Sequence, residues 1–221
     1  MKNHTELLNY LAEKYKLLTY LEIGVQNPAN NFDKINAEYK LGLDPEIEYR
    51  VNQIEVRHNV GDMTFINVIV QDKLLETTSD DYFKVLGGCI NNKANHYDLI
   101  FIDGYHEAEQ VKRDFENSLR CLNDGGFIVI HDTLPEDEPG TRVPRETKRW
   151  WGDVYKFAMK LGQYENIDFI TFDFDNGCTV VWKSTAGIRQ IYDGGYTFDD
   201  YLKHRNELLR VKPITDIEKY L

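Results

Sequence analysis

Asp103 and His106 stand out first, because they directly follow a buried strand and are residue types that carry out proton chemistry. They lie in LIFIDGYHEAEQVKRDF (99–115), where four apolar residues precede the aspartate and the histidine follows three positions later. A histidine titrates near neutral pH and can remove a proton from a hydroxyl group. A carboxylate can neutralise a positive charge or bind a metal ion. Taken alone, both residues could serve only as turn and cap at the strand end.

Polar residues also follow the other predicted strands at the point where each strand ends. They are Glu22 with Gly24, Asp44, Ser79 with Asp80, and His131 with Asp132. In an open parallel sheet, ligands bind outside the carboxyl ends of the strands, where the strand order switches. One strand-terminal aspartate is usually a turn or cap residue, but several on one rim predict a binding site.

The elements that position these residues alternate between strand and helix. Helices are predicted at about Thr5–Tyr15, 31–38, 108–122, 147–161 and 197–209, and strands at 17–24, 39–44, 97–103, 127–132, 167–174 and 177–183. The stretch 73–83 predicts a short strand and then a helix with Ser79 or Asp80 as its N-cap. Alternating strands and helices predict an α/β fold with a mostly parallel sheet. The last two strands, joined through Asp175-Asn176-Gly177, predict an antiparallel hairpin at the C-terminal edge.

A single domain spanning residues 1–221 is expected, with a core at about 17–185 and a helical tail at 186–221. Residues 50–72 interrupt the alternation. There, QIEVRH (53–58) and MTFINVIVQ (63–71) flank Asn59–Asp62, which predicts a hairpin insertion. The aromatic-rich tail could pack on its own domain or on a partner chain, so a homo-oligomer stays open.

Composition narrows the class of protein. The 221 residues carry a net charge of −11, which argues against binding to nucleic acid or to anionic membrane surfaces. The sequence shows neither a signal peptide nor an apolar run of membrane-spanning length, so a cytoplasmic location without membrane association is expected. The cysteines Cys89, Cys121 and Cys178 are far apart and are expected to be buried thiols.

The spacing of Glu22, Gly24 and Asp44 indicates a nucleoside ligand. Gly24 lets the backbone approach a ligand closely, and the loop GVQNPANN (24–31) lacks the GxGxxG spacing that cradles a pyrophosphate. Asp44 lies 22 residues beyond Glu22 at the end of the second strand, where a carboxylate can bind both ribose hydroxyls. A nucleoside without a pyrophosphate fits, and S-adenosylmethionine (SAM) is the common one.

Six segments together resemble the class I SAM-dependent methyltransferases, in particular a small single-domain group with an IDG-x-H strand end. The segments are YLEIG (20–24), GLDP (42–45), TSDDYF (78–83), YDLIFIDGYHEAEQVKRDFENSL (97–119), LNDGGFIVIHDTLP (122–135) and WWGDVYK (150–156). They occur in family order across residues 17–185. The resemblance implies a Rossmann-like, doubly wound sheet and SAM as cofactor.

The resemblance also implies a role for each rim residue. Glu22 and Gly24 would border the methionine portion of SAM, Asp44 would bind the ribose, Ser79 and Asp80 would lie near the adenine, and Asp103 would face the reacting centre. Similar sugar O-methyltransferases hold a divalent metal at this strand end and the next one. Asp103 and Asp132 would then bind Mg²⁺, although His131 stands where those enzymes carry a carboxylate.

The function expected from these residues is SAM-dependent O-methylation of a small hydroxylated acceptor, such as a sugar or saccharide. His106 would be the catalytic base beside Asp103; His131 could serve instead, or could orient Asp132. One alternative is a non-catalytic SAM- or nucleoside-binding module. The other is an NAD-dependent nucleotide-sugar-modifying enzyme, which the missing GxGxxG disfavours.

The segment from Arg142 to Trp151 allows two interpretations. Its cations and aromatic rings could form a lid that contacts an anionic or sugar-like substrate. Alternatively, it could be a solvated loop that leads into an amphipathic helix whose tryptophans enter the core.

Overall fold

An eight-stranded sheet with helices on both faces forms the centre of the protein. The computed structural model describes residues 1–48, 55–60, 63–68, 72–86, 96–187 and 189–221. The strands are β1 Thr19–Ile23, β2 Tyr39–Asp44, β3 Glu55–Val60, β4 Met63–Val68, β5 Asp72–Glu76, β6 Tyr97–Ile102, β7 Leu122–Ile130, β8 Ile167–Phe172, β9 Cys178–Lys183 and β10 Val211–Lys212. The α-helices are α1 His4–Tyr15, α2 Ser79–Leu86, α3 Ala108–Cys121, α4 Val154–Ala158 and α5 Phe198–Leu208.

The strand order confirms the predicted doubly wound fold. The order is β10-β8-β9-β7-β6-β1-β2-β5; β9 runs antiparallel to β7 and β8, and the other neighbouring strands of this sheet are parallel. The chain builds outward from β1 to β5 and then returns to place β6 on the other side of β1. The switch point therefore lies between β1 and β6, where a ligand cleft is expected. The tail adds the two-residue strand β10 beyond the predicted hairpin.

Continuous apolar strands produce two cores, one on each face of the sheet. Leu21 and Ile100 face α3 on one side, whereas Tyr20 and Phe101 face α1 on the other. Successive side chains of a strand point to opposite faces, so a strand covered on both sides must be apolar throughout. This is why YDLIFI and FIVI show no polar alternation. Among the described helices, none has the length and apolar character needed to cross a membrane.

Several predicted elements differ from the structure at their boundaries. The helix expected at 31–38 is a 3₁₀ turn at Phe32–Lys34, and the helix expected at 147–161 is reduced to Val154–Ala158. Gly152 explains the second difference, because its φ of +61° is incompatible with a continuous right-handed helix. The N-cap prediction for α2 was also wrong. Thr78 takes this role, since its hydroxyl accepts the backbone N–H of Asp81.

The predicted insertion has an antiparallel pairing. Strands β3 and β4 form a separate two-stranded sheet, with Glu55 opposite Val68 and Val60 opposite Met63. Of the predicted turn, Gly61 and Asp62 lie outside the described residues, as does Cys89. Cys121 and Cys178 are buried free thiols, as predicted.

Gly24 permits the closest backbone contact at the switch point. It has a φ of +93°, and a Cβ atom here would lie 2.3 Å from the carbonyl oxygen of Asp103 and 2.3 Å from the Cα of Gly104. Its N–H donates to the carbonyl oxygen of Leu43 at 2.8 Å. The ends of β1, β2 and β6 can therefore converge only if residue 24 has no side chain.

Replacing Gly24 with alanine should destabilise the protein by about 2–6 kcal/mol, because backbone strain and overpacking each cost about 1–3 kcal/mol. Gly125 is a matched control: its φ is +80°, but a Cβ there would meet no heavy atom within 4 Å. Gly125→Ala should therefore lose only the strain, about 1–3 kcal/mol. Urea denaturation of both variants tests this, and equal losses would contradict the close approach.

Candidate active site

The carboxyl ends of β1, β2, β5, β6 and β7 open into one cleft of about 1000 Å³. Every site residue predicted from the sequence lines this cleft: Glu22, Gly24, Asp44, Ser79, Asp80, Asp103, His106 and Asp132. The structure thus brings them together, and their individual roles stay predictions. His4, Gln110 and Asp114 also line the cleft and were not predicted.

Glu22 is buried at the end of β1. Its carboxyl accepts hydrogen bonds from the Tyr20 hydroxyl at 2.6 Å and from the Asn31 amide at 2.9 Å. Burial raises the pKa of Glu22 to about 8, although these two hydrogen bonds act in the opposite direction. Asn31 in turn accepts the Thr5 hydroxyl at 2.8 Å, so Glu22 ties β1 to the following loop and to α1.

Asp44 joins the loops that follow β1 and β2. One carboxylate oxygen accepts the backbone N–H of Gln26 at 2.8 Å, and the other accepts that of Glu46 at 2.8 Å. Each carboxylate oxygen has a second lone-pair site. Asp44 can therefore hold the two loops and still accept hydrogen bonds from a ligand in the cleft.

Gln110 on α3 links the residues predicted to lie near the adenine. Its amide is 3.2 Å from the Ser79 hydroxyl, 3.3 Å from Asp80 and 3.0 Å from Asp114. Asp114 is 1% exposed, and burial raises its pKa to about 6. This buried acid could not be recognised from the sequence, because an aspartate within an amphipathic helix normally faces solvent.

His131 has a hydrogen-bond partner on each of its ring nitrogens. Its Nδ1 lies 3.0 Å from Asp103 Oδ1, and its Nε2 lies 2.8 Å from the carbonyl oxygen of Asp175. Both acceptors need a donor, so the ring carries a proton on each nitrogen and a positive charge. Although burial alone would lower it, the charges of Asp103 and Asp132 raise the pKa of His131 to about 10.

The same cation keeps Asp103 ionised. Burial disfavours the charged carboxylate, but the charge and hydrogen bond of His131 outweigh it and hold the pKa of Asp103 below its usual range. His4 at the start of α1 completes the cluster: its Nδ1 lies 2.8 Å from Asp175 Oδ2, and its ring packs edge-on against His131 at 4.7 Å. The sequence analysis did not predict His4, because it lies in the N-terminal helix and outside every recognised motif.

His106 differs from His131 in having one ring nitrogen without a close partner. Its Nδ1 is 3.0 Å from Asp132 Oδ2, an ion-pair contact that does not form a hydrogen bond. Its Nε2 is 3.7 Å from Asp103 Oδ1, which is beyond hydrogen-bond distance. Burial lowers the pKa of His106, but Asp132 and Asp103 together raise it above the ordinary value of 6.5.

Residues 142–151 form a loop beside His106, hereafter the 142–151 loop. The Trp150 indole stacks on the His106 ring at 5.2 Å, with an interplanar angle of 7°. Trp151 is buried, as the interpretation with both tryptophans in the core predicted, whereas Trp150 lines the cleft. Beyond the loop, the Asp153 N–H donates to the His106 carbonyl oxygen at 3.1 Å, and the Asp153 carboxylate accepts the N–H of Ala108 at 2.7 Å. The loop is thus fixed against the start of α3.

The middle of the chain matches a family of methyltransferase domains. Residues 35–133 match the family described as "Methyltransferase domain". The matched span contains Asp44, Asp103, His106 and Asp132. The resemblance to class I SAM-dependent methyltransferases is therefore confirmed.

One sequence relative and two solved structures are similar over most of the chain. An uncharacterized protein of Acanthamoeba polyphaga mimivirus is 25% identical over 180 residues, which cover 74% of this chain and 76% of that protein. The O-methyltransferase from Bacillus cereus in complex with S-adenosylhomocysteine (SAH) has a TM-score of 0.55 at 12% identity, over 81% of this chain and 80% of that one. The O-methyltransferase TomG from Streptomyces achromogenes, involved in tomaymycin synthesis and in complex with SAM, has a TM-score of 0.52 at 13% identity, over 81% and 79%. At these identities the structural likeness shows the fold.

Replacing His131 with glutamine should cost about 3–5 kcal/mol of unfolding free energy near pH 6, because it leaves buried carboxylates without their cation. The pKa of His131 lies at about 10 in the folded protein, against 6.5 ordinarily. Its stabilising contribution is therefore complete below about pH 6.5 and is lost as the pH rises through about 10. Urea denaturation of both proteins between pH 6 and 10 should show the difference shrinking.

His204→Gln, on α5 outside the cleft, is the control for loss of a histidine. A difference between wild type and His131→Gln that stays constant with pH would mean that His131 acts through packing and not through its charge.

Proposed function

We propose that this chain, which carries a methyltransferase domain of the class I SAM-dependent type, transfers a methyl group from SAM to a hydroxyl group of a small acceptor. The observation that carries the proposal is the imidazole of His106, which lines the cleft with Asp132 at 3.0 Å on one nitrogen and no close partner on the other. This is the arrangement expected of an oriented general base.

The charge of the cleft is consistent with SAM as the cofactor. Besides Glu22, which a pKa of about 8 keeps largely protonated at neutral pH, the described lining residues include eight carboxylic acids: Asp44, Glu46, Glu48, Glu76, Asp80, Asp103, Asp114 and Asp132. SAM carries a sulfonium and an ammonium group, which an acidic cleft attracts. In this proposal Asp44 binds the ribose, Ser79 and Asp80 lie at the adenine, and Glu22 and Gly24 border the methionine portion.

Bound SAM would supply the electrophilic methyl group, and the side chains of this chain would align the acceptor and remove its proton. The Asp132 carboxylate beside Nδ1 favours the tautomer of His106 that carries its proton on Nδ1, so Nε2 would present its lone pair to the acceptor hydroxyl. As the hydroxyl oxygen forms its bond to the methyl carbon and the methyl–sulfur bond breaks, the hydroxyl proton passes to Nε2. Asp103, kept ionised by His131, provides negative charge beside the reacting centre. Most of the rate gain would come from alignment.

A sugar or saccharide acceptor remains part of the proposal. The flat indole of Trp150 next to His106 offers an apolar surface of the kind on which a sugar ring can lie.

Magnesium does not fit the residues at Asp103 and Asp132. Mg²⁺ requires oxygen ligands in near-ideal octahedral geometry, whereas the position between these strand ends is taken by His131. Because both His131 nitrogens face acceptors, the imidazolium already neutralises Asp103. We therefore propose transfer without bound Mg²⁺.

His106→Gln should lower kcat by about 10²–10⁴-fold, the usual contribution of a general base, and should leave SAH binding unchanged. Methyl transfer from labelled SAM across a panel of hydroxylated compounds gives the rate, and calorimetry gives SAH affinity. Unaltered turnover by the variant would show that the base is another group. Wild-type protein that binds SAH but methylates no acceptor would instead support the non-catalytic binding module.

The pH dependence of kcat/KM should show an acid limb with its midpoint above pH 6.5, because protonated His106 cannot accept a proton and its pKa is raised. Asp132→Asn removes a carboxylate that contributes to this shift, so the limb should move to lower pH while the maximal rate falls. A limb that stays in place in Asp132→Asn would contradict the pairing of Asp132 with His106.

Chelation should leave the reaction unchanged. Initial rates of methyl transfer with excess EDTA, with added Mg²⁺ and with neither should agree within error. Loss of activity on chelation that Mg²⁺ restores would overturn the proposed role of His131 as the resident cation.

A further inference from the structure

We propose that the acceptor carries an anionic group, a carboxylate or a phosphate, and that Arg145 of the 142–151 loop recognises it. This inference rests on the proposed function and specifies its substrate class. Among the described lining residues of the cleft, Arg145 and Arg149 are the only lysines or arginines, the imidazolium of His131 is already paired, and eight carboxylic acids accompany the largely protonated Glu22. Both arginines lie on the side where Trp150 covers His106.

The two arginines differ in their partners. Arg149 makes a two-pronged ion pair with Glu136, with N–O distances of 2.6 Å, so its charge is already compensated. The hydrogen bonds that Arg145 makes within the described residues go to backbone carbonyl oxygens of its own loop, at Thr147 (3.0 Å) and Lys148. No carboxylate of the described residues lies within ion-pair distance of it. Its positive charge therefore faces the cleft without a counter-ion from these residues.

Arg145 and the proposed base contact the same indole ring. Its guanidinium lies over the Trp150 ring at 5.7 Å, and the same indole stacks on His106 at 5.2 Å. A molecule that rests against Trp150 can thus present a hydroxyl to His106 and an anionic group to Arg145. A guanidinium suits this task, because its fork of N–H donors matches a carboxylate or phosphate.

The loop is held in position before any ligand arrives. The Trp150 indole N–H donates to the carbonyl oxygen of Arg142 at 2.8 Å, and the buried Trp151 donates its backbone N–H to the carbonyl oxygen of Gly140 at 3.0 Å. The backbone on both sides of Arg145 is therefore fixed, which reduces the entropy cost of ordering its side chain on binding.

Binding to the SAH-loaded protein tests the inference without requiring turnover. Matched pairs that differ in one carboxylate, glucose with glucuronate and catechol with protocatechuate, are compared by calorimetry, and glucose 6-phosphate supplies the phosphate arm. The anionic members should bind about 10–100-fold more tightly than the neutral ones, as expected for a hydrogen bond to a charged group. The affinity gain over the neutral compound is compared between the carboxylates and glucose 6-phosphate, and the larger gain shows which anionic group the site prefers.

Arg145→Gln should abolish this preference, and Arg145→Lys should retain part of it. Arg142→Gln is the matched control, since Arg142 pairs with Glu146 at 2.8 Å and does not line the cleft. It should behave like wild type. For any acceptor that is methylated, Arg145→Gln should raise KM and leave kcat unchanged.

Equal affinity for neutral and anionic members, or no binding by the anionic ones, would overturn the inference. Weakened SAH binding in Arg145→Gln would also overturn it, by assigning the arginine to the cofactor's own carboxylate. Preferential binding of the anions without any methylation would instead count against the proposed function and leave the anion site standing.

Discussion

The protonated ring of His131 is the interaction on which the active-site end of the sheet depends. It connects Asp103 at the end of β6 with the turn after β8, where Asp175 accepts its second N–H. His4 from α1 pairs with the same Asp175, so the N-terminal helix is attached to this cluster as well. Since the ring is buried, its charge must be compensated locally, and the surrounding carboxylates supply that compensation. The same buried contacts therefore hold Asp103, Asp175 and His4 in place and balance the charge of His131.

The second constraint is steric, and it acts between neighbouring strands. Gly24 brings the end of β1 against the backbone of Asp103, which sets the position from which that carboxylate faces the cleft. Together with Asp44, which accepts the N–H of Gln26, this contact defines the loops on the proposed cofactor side. The opposite side is defined by the 142–151 loop, held through Trp151. The cleft is therefore acidic where a cationic cofactor would bind and carries arginines where the acceptor would enter.

The sequence was sufficient for the sheet and for most of the cleft, because both depend on local patterns. Apolar runs that end in polar residues identify buried parallel strands and their functional ends without knowledge of tertiary contacts. Features that depend on distant contacts could not be found in this way. Asp175 meets His131 only after the hairpin folds back, and Asp114 is buried only because Gln110 and α2 cover it. Gly152 prevents the predicted helix from starting before Val154, because the chain approaches His106 here, with a Cβ only 1.7 Å from the His106 carbonyl oxygen.

His106 and His131 show why a residue type at a strand end does not by itself specify a role. Both histidines lie beside a strand-terminal aspartate, and the sequence allowed either one to act as the base. A base must have an unprotonated nitrogen that the substrate can reach. In His131 both nitrogens donate to fixed acceptors, so proton uptake would require breaking a buried hydrogen bond. In His106 one nitrogen is oriented by Asp132 and the other is without a close partner. The difference between a structural cation and a proton acceptor therefore follows from the contacts of each ring: His131 has a hydrogen-bond partner on both nitrogens, and His106 has only the nearby charge of Asp132.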